Sequence, residues 1–246
     1  MKKLHILITS ISLLFFSCKK NAVVPDSAVA SLSFVNATVG SAPLAANFNN
    51  QTIIFSLLAS GNKINYGASN LFSPLAGSNT ISFMQATDTI HSLFTGTLNL
   101  QSGGIYSLYL ANTTSAPDTV FMQEQLATHG PTDSVAGIRF INLSPGGNPV
   151  SVDIKGQANG SEVASLSYKG RTGFRTYKAD YSTPSYIFEF RDATMGTLLA
   201  TYTLNGVNNA SSASLTTSNS VRYRNMTIAL IGGGTAAQSA MLVPNY

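Results

Sequence analysis

Gly137-Ile-Arg-Phe-Ile-Asn142 restates Ser31-Leu-Ser-Phe-Val-Asn36, so that Phe34 maps to Phe140 and Asn36 to Asn142 at a separation of 106 residues. Side chains alternate sides along an extended strand, which puts Leu32, Phe34 and Asn36 on one face. Thr97-Leu98-Asn99 returns as Thr203-Leu204-Asn205, again 106 residues on, and between them Tyr66 and Phe72 match Tyr168 and Phe174 at 102. Further along, Tyr106-Ser-Leu-Tyr-Leu-Ala111 aligns with Thr227-Ile-Ala-Leu-Ile-Gly232 at 121. The second copy therefore holds extra residues, and the Ser-, Asn- and Thr-rich run from Gly206 to about Val221 reads as a long surface loop. A repeat of this length predicts two tandem domains, residues 29–128 and 134–246, joined near the breaker-rich Thr128-His-Gly-Pro-Thr-Asp133.

Short alternating segments recur through both copies. Ile81 and Phe83 share a face, as do Tyr186, Phe188 and Phe190, with Glu189 and Arg191 pointing away. Turn signals separate them, among them Gly61-Asn62, Ser102-Gly103-Gly104, Gly146-Gly147-Asn148 and Asn159-Gly160. Gly232-Gly-Gly234 reads as a turn before a last strand over Ala237 to Val243. Half-buried strands at roughly ten-residue spacing predict an all-β chain made of two tandem immunoglobulin-like antiparallel β-sandwich domains. The chain has no Trp and one Cys, so the core rests on aliphatic, Phe and Tyr packing.

The amino terminus is a processing segment. Lys2 and Lys3 precede an apolar stretch from Leu4 to Phe16, and Ser17 stands before the lone Cys18. The placement resembles the lipobox of bacterial lipoproteins, with Phe15 where Leu is commonest. The resemblance implies a signal peptide over residues 1–17, acylation of Cys18 and a tether over residues 18–28. It places the protein in the cell envelope, on the outer membrane, with the bilayer as a partner through Cys18.

Composition excludes other classes. Of 246 residues 44% are hydrophobic and only 10% charged, which rules out a disordered chain and a coiled coil. Lys2 and Lys3 leave with the signal peptide, reducing 14 basic residues to 12 against 10 acids. A nearly neutral mature chain is not expected to bind nucleic acid. The segment Ala136-Gly-Ile-Arg-Phe-Ile-Asn-Leu-Ser-Pro145, with Val150-Ser-Val-Asp-Ile-Lys-Gly156 after it, resembles the repeats of the family DUF4397, a domain of unknown function. Leu32-Ser-Phe-Val-Asn-Ala-Thr38 matches more loosely, without the Arg, Pro or Asp. The resemblance implies a secreted β-sandwich and no catalytic residues.

Residues that could carry chemistry are few. His91 and His129 remain after cleavage, one in the first copy and one in the join, and no catalytic, metal-binding or phosphate-cradling motif is present. No cofactor or metal is expected. His91 reads as a structural strand residue, and Asn36 and Asn142 as turn formers that satisfy the local backbone. The chain is read as non-enzymatic, a binding or spacer module. The charge is unevenly shared, however. Lys169, Arg171, Arg175 and Lys178 fall within ten residues, interleaved with Tyr168, Phe174 and Tyr177. Arg171, Arg175, Tyr177 and Lys178 are the expected contacts to a glycan or an envelope protein. The alternative is a glycan-active enzyme whose acid pair is drawn from Asp153, Glu162, Asp180, Glu189 and Asp192.

Overall fold

The computed structural model describes residues 28–51, 63–130, 132–208, 219–234 and 236–245, and these are all-β. The first half supplies β1 (Ser31–Asn36), β2 (Leu44–Phe48), β3 (Ala68–Phe72), β4 (Gly77–Gln85), β5 (Asp88–Leu100), β6 (Ile105–Thr113) and β7 (Ala116–Gln123). The second supplies β8 (Val135–Asn142), β9 (Val150–Ile154), β10 (Val163–Leu166), β11 (Arg175–Lys178), β12 (Ser185–Asp192), β13 (Leu198–Asn205), β14 (Asn225–Gly233) and β15 (Ala236–Pro244). Four sheets result, ordered β3-β1-β6-β7, β2-β4-β5, β11-β8-β14-β15 and β10-β9-β12-β13.

Each half is a sandwich whose two sheets face each other over an apolar core. In the first, Leu32 and Phe34 of β1 meet Ile81 and Phe83 of β4, with the rings of Phe34 and Phe83 stacked 3.8 Å apart. In the second, Ile138 and Phe140 of β8 meet Phe188 and Phe190 of β12, and Phe140 lies edge-on to Phe188 at 5.1 Å. Asn36 and Asn142 end their strands alike. Each accepts from the backbone N–H two residues on, and each donates to a distant carbonyl, that of Ile64 or of Leu166. Being buried, they hold their turns by satisfying backbone groups that water cannot reach.

Three features depart from the sequence-based expectation. The central pairs are parallel, β1 with β6 and β8 with β14, while the other pairings are antiparallel. Their register pairs Phe34 with Leu108 and Phe140 with Ile228, so the matching separation in this strand is 120 residues and not 121. The single-residue difference matters because a slip of one residue exchanges the two faces of a strand. Finally, the ends of the Gly206–Val221 insertion are core rather than surface. Val207 and Val221 are both buried, and Asn219 donates to the Val207 carbonyl. Residues 209–218 of that loop lie outside the described residues. The expected last strand is β15, and all three glycines before it have positive φ. A Cβ on Gly232 would lie 2.3 Å from the Ala237 carbonyl oxygen, so only glycine fits there.

The central strands are buried on both faces because a third core joins the halves. Val35, Ala37, Tyr109, Ala111, Val120 and Met122 from the first half pack against Ile141, Leu143, Ala229, Ile231, Met241 and Val243 from the second. Nine of these twelve side chains are larger than alanine. Burying a Val, Leu, Ile or Met side chain contributes roughly 1.5–3 kcal/mol, so this layer holds the sandwiches as one body, not as beads on a linker. The layer is self-complementary. Within it β3 of the first half lies against β15 of the second, and Asp118 of β7 is ion-paired to Lys169 in the connection between β10 and β11.

Candidate functional site

One end of the joining layer is polar. Glu124, just past β7, and Arg139, in mid-β8, are both buried, with 1% and 6% of their side chains exposed. The pair is bidentate: Arg139 Nη1 donates to Glu124 Oε2 at 2.6 Å and Nη2 to Oε1 at 2.5 Å. Nε donates to Thr227 Oγ1 at 2.8 Å, and Thr227 Oγ1 donates onward to Asn245 Oδ1. The guanidinium also lies 4.6 Å over the Phe174 ring. Burial works against the Arg139 charge. The hydrogen bonds and charge of Glu124, helped by Tyr109, outweigh it and hold the guanidinium above its ordinary value.

Beside this pair a cleft of about 300 Å³ opens, lined by Gln123, Gln125, Arg171, Thr172, Gly173 and Phe174 among others. Arg171 is exposed, and its guanidinium has no partner among the described residues. A second cleft, of about 450 Å³, lies on the other face of β7 and shares Met122 and Gln123 with the first. Asn99, Gln101, Tyr106 and Phe121 line it. Phe121 is 39% exposed although its face of β7 points toward the sandwich interior. In the second half the matching edge is closed by β13 lying against β15. In the first, the ends of β5 and β7 stand apart around this cleft. Tyr106 props the ring of Phe121, stacked on it at 5.5 Å, and is itself fixed by accepting from the Gln101 N–H at 2.8 Å. Gln123 Nε2 donates to Gln101 Oε1 at 3.4 Å, tying the two walls together.

The four residues singled out in the sequence do not form one surface. Arg171 lines the smaller cleft. Tyr177 is a core residue, 7% exposed, edge-on to Tyr186 and Phe188, and its hydroxyl donates to Glu162 Oε2. Burial, and then that hydrogen bond, push its phenol far above the ordinary value. Arg175, on the same face of β11, donates to the Glu162 carbonyl at 2.5 Å, whereas Lys178 is exposed on the opposite face. Cys18 lies outside the described residues. Of the candidate acids, Asp153 and Glu189 are direct partners across β9 and β12. Arg191 serves both, with Nη2 2.5 Å from Glu189 and Nε 3.6 Å from Asp153. They line neither cleft at β7. His91 is exposed and lies 3.0 Å from Asp88.

Phe121, Gln123 and Gln125 escaped the sequence reading, yet they form a period-two stripe. Its signal is that β15, at the matching place, carries Leu242, packed on the second core, where β7 carries the exposed Phe121.

No curated protein matches the chain. Among solved structures, a family 41 carbohydrate-binding module from streptococcal virulence factors, described in alpha-glucan recognition, is 12% identical, with 86% of this chain and 96% of that one covered and a TM-score of 0.26. A second, described in alpha-glucan binding by a streptococcal virulence factor, is 8% identical over 82% and 92%, with a TM-score of 0.24. A family model, Domain of unknown function (DUF4397), matches residues 30–154, which take in every strand of the first half together with β8 and β9. That span exceeds half of the 246 residues, and the chain belongs to the DUF4397 family.

Proposed function

We propose that the protein is a lipid-anchored, non-enzymatic module of the cell envelope, held to the outer membrane through Cys18, that binds a ligand in the clefts around β7. The observation that carries the binding reading is the lining of those clefts. Among the described residues it includes uncharged carboxamides, one exposed aromatic ring, one arginine with no side-chain partner, and a single carboxylate locked in a bidentate ion pair with a second arginine. A group engaged in this way is a poor proton donor or acceptor for a substrate. Of the residues expected from the sequence, Arg171 lines the smaller cleft, which supports it as a ligand contact. The rival reading, glycan cleavage, rests on Asp153 and Glu189, and the arginine shared between them favours a structural role.

The anchor and the absence of catalysis are tested together. The full chain, expressed in a host that processes lipoproteins, is expected to begin at an acylated Cys18 by mass spectrometry, and Cys18→Ala to move it from the membrane to the soluble fraction. An unmodified Cys18 overturns the anchor. New reducing ends released from a polysaccharide by the wild type, and lost in Asp153→Asn, overturn the binding-only reading.

A further inference from the structure

We infer that the ligand is an oligosaccharide bearing a carboxylate, with an uncharged sugar ring stacked on Phe121 and the acid group held by Arg171. This deepens the binding reading above and rests on it.

The two clefts share a wall. Because the two clefts meet at Met122 and Gln123, a ligand that fills both runs around the β7 edge and is extended rather than a single small molecule. Clefts of about 450 and 300 Å³ fall within the usual range for small-ligand sites, about 300–1,000 Å³. The larger one offers a flat apolar ring held rigid by the Tyr106 stack, which suits the C–H face of a pyranose. Asn99, Gln101 and Gln123 surround it, with Gln125 just beyond. A carboxamide both donates and accepts, as a sugar hydroxyl does, so each can pair with a hydroxyl without leaving a charge unmatched. The Gln101–Gln123 bond orders two of these groups before a ligand arrives, which lowers the entropy lost on binding.

The smaller cleft sets the charge. Arg171 presents a planar fork with no side-chain partner among the described residues, the geometry that takes a carboxylate in two parallel hydrogen bonds. Glu124 would repel an acid, but Arg139 neutralises it at 2.5–2.6 Å. A peptide fits less well. One exposed ring is the main apolar anchor in the clefts, and the edge of β7 carries Pro117, which has no N–H to offer an added strand.

The full chain is to be screened against an array of uronate- and sialate-bearing oligosaccharides with their uncharged counterparts, and against hexa-aspartate. Saturable binding of an acidic oligosaccharide is expected, about tenfold tighter than of its uncharged counterpart. Arg171→Gln is expected to abolish that preference while leaving the uncharged sugar unaffected. Phe121→Ala is expected to weaken both by about tenfold, and Phe121→Leu, which installs the residue found at the matching place in β15, to do nearly the same with the fold intact. Arg175→Gln is expected to change neither. Capture of hexa-aspartate with every oligosaccharide silent overturns the glycan assignment and leaves the binding reading standing. Silence from all probes, with Cys18 acylated, overturns the assignment and the binding reading and leaves the anchor. Binding unchanged in Arg171→Gln and Phe121→Leu overturns the placement of the ligand.

Discussion

At one end of the layer that joins the sandwiches, Ser33, Ser69, Asn70, Leu71 and Pro244 line a cleft of about 280 Å³; at the other, Arg139, Arg171, Thr172, Phe174 and Gln123 help line one of about 300 Å³. The positions correspond through the strand registers. Ser33 matches Arg139, Ser69 matches Arg171, and Pro244 matches Gln123. Asn245, following Pro244, likewise matches Glu124. The same backbone frame thus produces a neutral cleft and a charged one, and side-chain identity alone makes the difference. One backbone change accompanies it. The β1–β3 register is continuous from Leu32–Phe72 to Asn36–Ala68, whereas the partners of β8 run from Arg171 opposite Ile141 to Arg175 opposite Ile138, one residue longer. The extra residue reverses the face of the strand. Phe72 consequently packs into its sandwich beside Phe48, while Phe174 turns to the joining layer and lies under Arg139.

The two ends differ most at the ion pair. Glu124→Ala leaves Arg139 buried without a counter-charge and is expected to lower stability by about 3–5 kcal/mol in urea denaturation. Arg139→Ser with Glu124→Asn, which copies the neutral end, is expected to recover most of that loss. A double variant as unstable as Glu124→Ala would show that the two ends are not equivalent. Gly67 and Lys169 offer a finer test. They match across the halves, with φ of 73° and 63°, and each N–H donates to the carbonyl of its buried Asn. Gly67→Ala is expected to cost about 1–2 kcal/mol, since a left-handed conformation disfavours a Cβ. Lys169→Gly is expected to be nearly neutral, because relief at the backbone offsets a half-exposed ion pair worth at most about 1 kcal/mol. The smallest effect concerns alkaline pH. Tyr168, matched to Tyr66, has its phenol pushed up to about 12 by burial and by Asp118. A raised folded value favours the neutral phenol, so the Tyr168 contribution to stability is constant below pH 10 and is lost between about pH 10 and 12. Tyr168→Phe is expected to remove part of that decline without loss at pH 7, because Tyr168 Oη is buried with no hydrogen-bond partner among the described residues. A pH profile identical to wild type would contradict this.

Much of the fold is written in local alternation. Phe34, Phe83, Phe140 and Phe188 stand where period-two spacing puts core residues, and glycine and asparagine mark the turns. What alternation does not reveal is that the second face of β1 and β8 is also buried, because Val35 and Ile141 are short apolar steps that suit either environment. The parallel pairing of β1 with β6 depends on strands about seventy residues apart and leaves no local trace. The site was legible only in part. Arg171 stands out as a basic residue, but Tyr177, six positions on, looks the same in sequence whether it stacks on a ligand or fills a core. Phe121 sits in an ordinary strand, and its exposure follows from where β5 ends.

The position of β1 also determines how the molecule bears a load. The first strand lies mid-sheet, bonded along its length to β3 on one side and β6 on the other. A pull applied at the chain's start runs along that strand, so its hydrogen bonds are strained together in shear. A first strand at the margin of the sheet would instead peel away one bond after another, under far less force.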